Sequence, residues 1–187
     1  MPSDSLCFAQ ATTAQDVDPD RRQALIDCWI EVSNAGGAAG FPFPPIDERD
    51  AAPALDAILE SLAPQTCRLV MALDGDELLG WLNIRRSTSA VVTHWATLHH
   101  VQTRTRRHGQ GIGSALMKEA HTIARDEMDL EQLHLAARAG VGLETFYGRL
   151  GWKEVGRWPG ALRLGPGDDR DEVLMLLDLG AEEMTRS

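Results

Sequence analysis

"RTRRHGQGIGSALMKEA", Arg104 to Ala120, puts three arginines and a histidine directly ahead of three glycines spaced two apart, Gly109, Gly111 and Gly113. The run before it, "AVVTHWATLHHVQ", is rich in β-branched and aromatic residues and reads as a strand. From Gly113 on, Leu116, Met117, Ala120, Ile123 and Ala124 recur at helical spacing. A strand that ends in a glycine-rich turn and opens a helix is a phosphate cradle. The first N–H groups of the helix have no internal partners, and the macrodipole favours an anion there. Glycines let the phosphate approach the backbone, and Arg104, Arg106, Arg107 and His108 would add charge-assisted bonds to its oxygens.

Spacing narrows the phosphate compound. A mononucleotide loop needs G-x-x-x-x-G-K-[ST], which does not occur, and a dinucleotide fingerprint needs a third glycine where Ser114 stands. What occurs is R-x-x-G-x-G, at Arg106, Gly109 and Gly111, continuing as "IGSALM". This resembles the signature of the GNAT superfamily of N-acetyltransferases. The resemblance implies that backbone amides over Arg106, Arg107, His108, Gly109, Gln110, Gly111, Ile112, Gly113 and Ser114 hold the pyrophosphate of acetyl-coenzyme A (acetyl-CoA), the cosubstrate.

A second anchor is "FYGRLGW", which resembles the F-Y-x-x-x-G-F segment on a short GNAT helix: Phe146, Tyr147, Gly151 and Trp152 match, with Trp in place of the last Phe. Gly140 and Leu143 stand where the family often has Asn and a small residue. The resemblance makes Tyr147 the acid that protonates the leaving thiolate of the coenzyme. It also implies that two central strands splay apart and that free amides of the fourth, around His99, His100 and Val101, lie beside the acetyl group.

The remaining chain supports the same layout. After Asp18 and Pro19, Leu25, Ile26, Trp29 and Ile30 mark a helix that stops before Gly36, and Leu55, Ile58, Leu59 and Leu62 mark a second. "CRLVMAL" and "ELLGWLNIRR" form a hairpin across "DGDE"; "QLHLAA" and "DEVLMLLDL" are further strands, and "LETFYGRL" is a short helix. The expected fold is mixed α/β: a largely antiparallel sheet of about six to seven strands with splayed central strands, flanked by about four helices, as a single domain over 1–187.

Composition excludes other classes. A net charge of −10 argues against nucleic acid or an anionic membrane surface as partner, since both reward a basic face. No apolar run reaches the ~20 residues of a membrane span, and "MPSDSLCFAQATTAQ" lacks the regions of a secretory signal, so a soluble, cytoplasmic protein is expected. Cys7, Cys28 and Cys67 are odd in number and far apart, which suggests neither disulfides nor a zinc site; no metal is expected.

The reaction expected is direct transfer of acetyl from acetyl-CoA to a primary amine in a ternary complex. His99 is the candidate base, since a histidine suits proton removal near neutral pH. Strand alternation sets Trp95, Thr97, His99 and Val101 on one face and His100 on the other, but a β-bulge would invert part of that parity. Phe41, Phe43, Asp47, Glu48 and Asp50, together with Asp168, Asp169, Asp171 and Glu172, are candidates for the acceptor wall and favour a small cationic molecule. A protein N-terminus or lysine as acceptor, a non-catalytic coenzyme A sensor, and assembly as a homodimer all stay open at this level.

Overall fold

The computed structural model describes residues 6–37, 40–41 and 44–180. Helix α1 spans Pro19–Asn34 and α2 Glu48–Glu60. Both start where local chemistry dictates. The Asp18 carboxylate accepts from the Arg21 N–H, and Pro19 supplies a first helical residue that needs no N–H partner. Asp47 and Asp50 close a reciprocal capping box on α2, which tolerates Pro53 near its start.

Strands β1 (Leu6–Ala11), β2 (Cys67–Asp74), β3 (Glu77–Arg86), β4 (Trp95–Thr103), β5 (Gln132–Arg138), β6 (Lys153–Gly165) and β7 (Asp168–Asp178) make one seven-stranded sheet in the order β1-β2-β3-β4-β5-β7-β6. All neighbours are antiparallel except β4 and β5. Alternation along β3 sends Trp81 into a core with Leu25, Ile26, Trp29 and Leu55 under α1 and α2. Leu82 goes to the other core, with Leu116, Met117, Leu133 and Val173, under α3 (Ile112–Thr122). Covered on both faces, β2 is an almost unbroken apolar run.

Two strands lack a sequence signal. In β1 and β6 the side chains do not alternate by burial, and β6 carries Pro159, Gly156 and Gly160 with mostly exposed positions. Pairing to β2 and β7 forms them, through register shifts that absorb the irregular residues of β6. The strand expected from Ala90 begins at Trp95, with Ala90–Val92 a 3₁₀ turn whose Val91 faces solvent. Among the thiols, Cys28 and Cys67 are buried and Cys7 is exposed, all unbridged.

Two irregularities prepare an opening. The parallel ladder of β4 and β5 holds only from Trp95–Thr97 against Gln132–His134, and beyond it the strands part. The β3–β4 register then slips, Asn83 facing His99 but Trp81 facing Gln102, so β4 carries one extra residue. His100, at φ 55°, takes up that slip in the left-handed region.

Candidate active site

The bulge decides which face each residue of β4 presents. His100 lies against Trp29 and Trp81, at ring distances of 4.7 and 5.8 Å, on the α1–α2 side with its neighbour His99. Val101 packs instead into the α3-side core, where simple alternation would not put it. A cleft of about 950 Å³ runs through the splay. It is lined by Thr97 to Thr103 of β4, Leu135 to Arg138 of β5, the start of α3, Tyr147, and on the α1–α2 side Val32, Gly40 and Phe41.

The glycine turn leaves free backbone amides at the start of α3. Gly109 and Gly111 stand at φ 78° and 80°, conformations that a Cβ would strain, and Gly111 caps α3. The first hydrogen bond of that helix runs from the Ala115 N–H to the Gly111 carbonyl, so the amides of Ile112, Gly113 and Ser114 precede any internal partner. Arg107, His108, Gly109, Gly111, Ile112, Gly113 and Ser114 all line the cleft.

The arginines divide by partner. Arg107 reaches the cleft and bonds Glu77 at 2.7 Å. Arg106, 61% exposed, is tied to the other oxygen of Glu77 and, like Gln110, does not line the cleft. The bond from Arg107, with the charges of both arginines, holds the Glu77 carboxyl below its usual range. Arg104 does not serve the loop at all: it donates to Glu31 of α1 at 2.9 Å and to the Leu78 and Ala24 carbonyls. Burial pushes the Glu31 carboxyl up, yet bonds from Thr105 and Arg104 outweigh it and leave it depressed.

Tyr147 sits in α4 (Leu143–Gly148), 5% exposed, with its ring packed against Phe146 and Trp152. Trp152 is itself fixed by donating its indole N–H to His121 Nε2 at 3.3 Å. No hydrogen bond to the Tyr147 hydroxyl is present among the described residues, and burial pushes its pKa up to about 12, so it stays protonated. His99 is held below its ordinary value by burial and by the charge of Arg85, so its imidazole is neutral at pH 7. His100, more deeply set, falls to about 4 by burial, with His99 and Arg85 adding.

The carboxylates expected on the acceptor wall mostly lie elsewhere. Asp47 and Asp50 are spent on capping α2, and Asp168 and Asp169 pair with Arg170 and Arg163. Asp171 accepts from the Gly160 N–H. Of that group only Phe41 and Glu172 line the cleft, while Phe43 lies outside the described residues. Sequence reasoning missed Arg138, Gln102 and Val32. Their only signal is position, and that becomes visible once β4 and β5 part. Among the described residues no cluster of three or more His, Cys, Asp or Glu could hold a metal ion, and no helix is long and apolar enough to cross a membrane.

Residues 50–158 match the acetyltransferase (GNAT) domain family. The chain belongs to the GNAT family. This acetyltransferase is an acetyl-CoA-dependent acyltransferase, and its sheet and helices are the fold of that family. It superposes on an acetyltransferase from Salmonella typhimurium solved with its cofactor acetyl-CoA, with a TM-score of 0.70 at 13% identity over 94% of this chain and 95% of that one. A ribosomal-protein-alanine N-acetyltransferase from Brucella melitensis gives 0.69 at 18% over 92% and 99%. An aminoglycoside 6'-N-acetyltransferase complexed with coenzyme A gives 0.67 at 16% over 91% and 97%. Curated protein sequences give no match.

Proposed function

We propose that the chain works as one domain that transfers acetyl directly from acetyl-CoA to a primary amine of a small molecule, both substrates being bound at once. The observation that carries this reading is a single cleft through the sheet. Ile112 to Ser114, with their free amides, and Tyr147 line it on the α3 side, and His99 lines it on the α1–α2 side.

The cradle fits a pyrophosphate. Its glycine conformations keep Cβ atoms away, the helix start supplies donors, and Arg107 adds positive charge. Bound there, acetyl-CoA supplies the activated thioester. The unpaired β4 backbone around His99, His100 and Val101 holds and polarises the acetyl group, because the splay removes its β5 partners. Neutral His99 takes the proton of the amine as the N–C bond forms. As the C–S bond breaks, the Tyr147 hydroxyl would donate a hydrogen bond to the thiolate, which takes a proton from solvent to leave as coenzyme A while His99 returns its proton to solvent. The pocket on the acceptor side, walled by Phe41, Val32 and His100, whose ring is backed by buried Trp29 and Trp81, supports a small molecule over an open protein groove.

The test combines calorimetry with turnover. Acetyl-CoA is expected to bind and, at a hundredfold excess over Kd, to stabilise the fold by about 2.7 kcal/mol. Thiol release is expected with small primary amines and not with peptides. Release with peptides alone would overturn the small-molecule reading, and binding without any release would make the protein a coenzyme A sensor.

A further inference from the structure

The acceptor side of the cleft carries two polar groups that the transfer chemistry does not use. Arg138 ends β5. One Nη donates to the Gly36 carbonyl, but Nε is buried with no partner, and no carboxylate pairs with it among the described residues. The nearby Asp168 is engaged by Arg170. Gln102 of β4 is 3% exposed, and both its amide atoms are buried without a partner. Both residues line the cleft.

Register puts them at the same level. Thr97 stands opposite His134 in the parallel ladder, so continuing along both strands sets His99 level with Ala136. After the one-residue bulge, Gln102 is then level with Arg138. Alternation sends both side chains to the α1–α2 side, with His99 and the exposed, small Ala136 between them and the reacting centre. A guanidinium with a free Nε–H and no carboxylate partner, beside an unpartnered amide N–H₂, is costly to the free protein, and a planar anion can accept from both donors.

Resting on the small-amine reading above, we propose that the acceptor is an amino acid. Its carboxylate is held between Arg138 and Gln102, its amine lies toward His99, and its apolar side chain faces Phe41 and Val32. Glu172, register partner of Arg138 on β7, lines the same region and disfavours a second carboxylate on the acceptor.

The experiment compares acceptors that differ only in the carboxylate: phenylalanine with phenethylamine, leucine with 3-methylbutylamine, and aspartate as the dicarboxylic control. Wild-type kcat/KM is expected to favour each amino acid over its amine by at least about tenfold, with aspartate poor. Gln102→Leu matches the shape without stranding a partner, so it folds at least as well as wild type and lowers the amino-acid-to-amine ratio by about 10-fold. Arg138→Gln lowers that ratio by about 10- to 100-fold, and Arg138→Lys restores only part of it. A wild type that uses the amines equally well, or a Gln102→Leu variant with an unchanged ratio, overturns the assignment while leaving the small-amine reading intact. Turnover of peptides alone overturns both.

Discussion

Replacing Tyr147 with Phe removes one oxygen from a ring that is otherwise fixed by Phe146 and Trp152. The structure limits how much that oxygen contributes to catalysis. Burial sets its pKa near about 12, whereas a thiol ordinarily titrates near about 8.5, so complete proton transfer to the thiolate runs uphill by about 3.5 units, or ~5 kcal/mol. On the proposed mechanism Tyr147 would therefore stabilise the leaving sulfur mainly by a hydrogen bond to a charged acceptor, worth about 1.5–3 kcal/mol. In rate that is about 10- to 150-fold, toward the low end of general acid catalysis at ~10²–10⁴. Because the hydroxyl has no partner among the described residues, its loss strands nothing. Tyr147→Phe should keep or slightly raise the melting temperature and leave KM for acetyl-CoA unchanged, with kcat down by the factor given. The assay is steady-state thiol release with a pre-steady-state burst to confirm that chemistry, and not product release, limits turnover. A loss beyond about 10³-fold would refute the hydrogen-bond argument and make Tyr147 an obligatory proton donor, and a wild-type kcat would make it a packing residue.

Three further outcomes follow from the same geometry. Ser114→Glu puts a carboxylate among the free amides of α3, so acetyl-CoA should bind at least about tenfold more weakly in calorimetry while the free protein melts no lower, an acid at a helix start being favourable. It is a cleaner probe than Gly111→Val, since the positive φ of Gly111 would add backbone strain to any block of the phosphates. With neutral His99 as the proposed base and its pKa depressed by burial and Arg85, the acid limb that it sets in kcat should lie below the ordinary histidine range. His99→Gln should lower kcat and lose that acid limb, and an unchanged limb would assign proton removal to another group. Glu31→Ala removes a carboxylate that accepts from Arg104 and twice from Thr105, so it should cost about 3 kcal/mol, or roughly 6–12 °C in Tm for a chain of this size. An unaltered Tm would show that Arg104 finds another partner.

Features with local causes could be read directly from neighbouring residues. Asp18–Pro19 and Asp47–Asp50 start two helices, Asp74 to Glu77 turns a hairpin, and Gly109 to Ser114 opens α3 with free amides, because caps, turns and free amides depend on neighbours within a few residues. The short helix that carries Tyr147 was legible for the same reason, through the spacing of the segment around it. Tertiary structure alone decided which charges were free to act. Arg104 and Glu31 meet across 73 positions, and a one-residue bulge in β4 turns His100 away from the face that alternation gives it. The aspartates expected on the acceptor wall went to helix caps and ion pairs, and β6 gained its form only by pairing with β7. Arg138 and Gln102, unremarkable in the sequence, come to line one cleft only because β4 and β5 run parallel and then part. A side chain's type sets what it can donate or accept, but its partner depends on which distant segment the sheet brings beside it, and no local pattern encodes that distance.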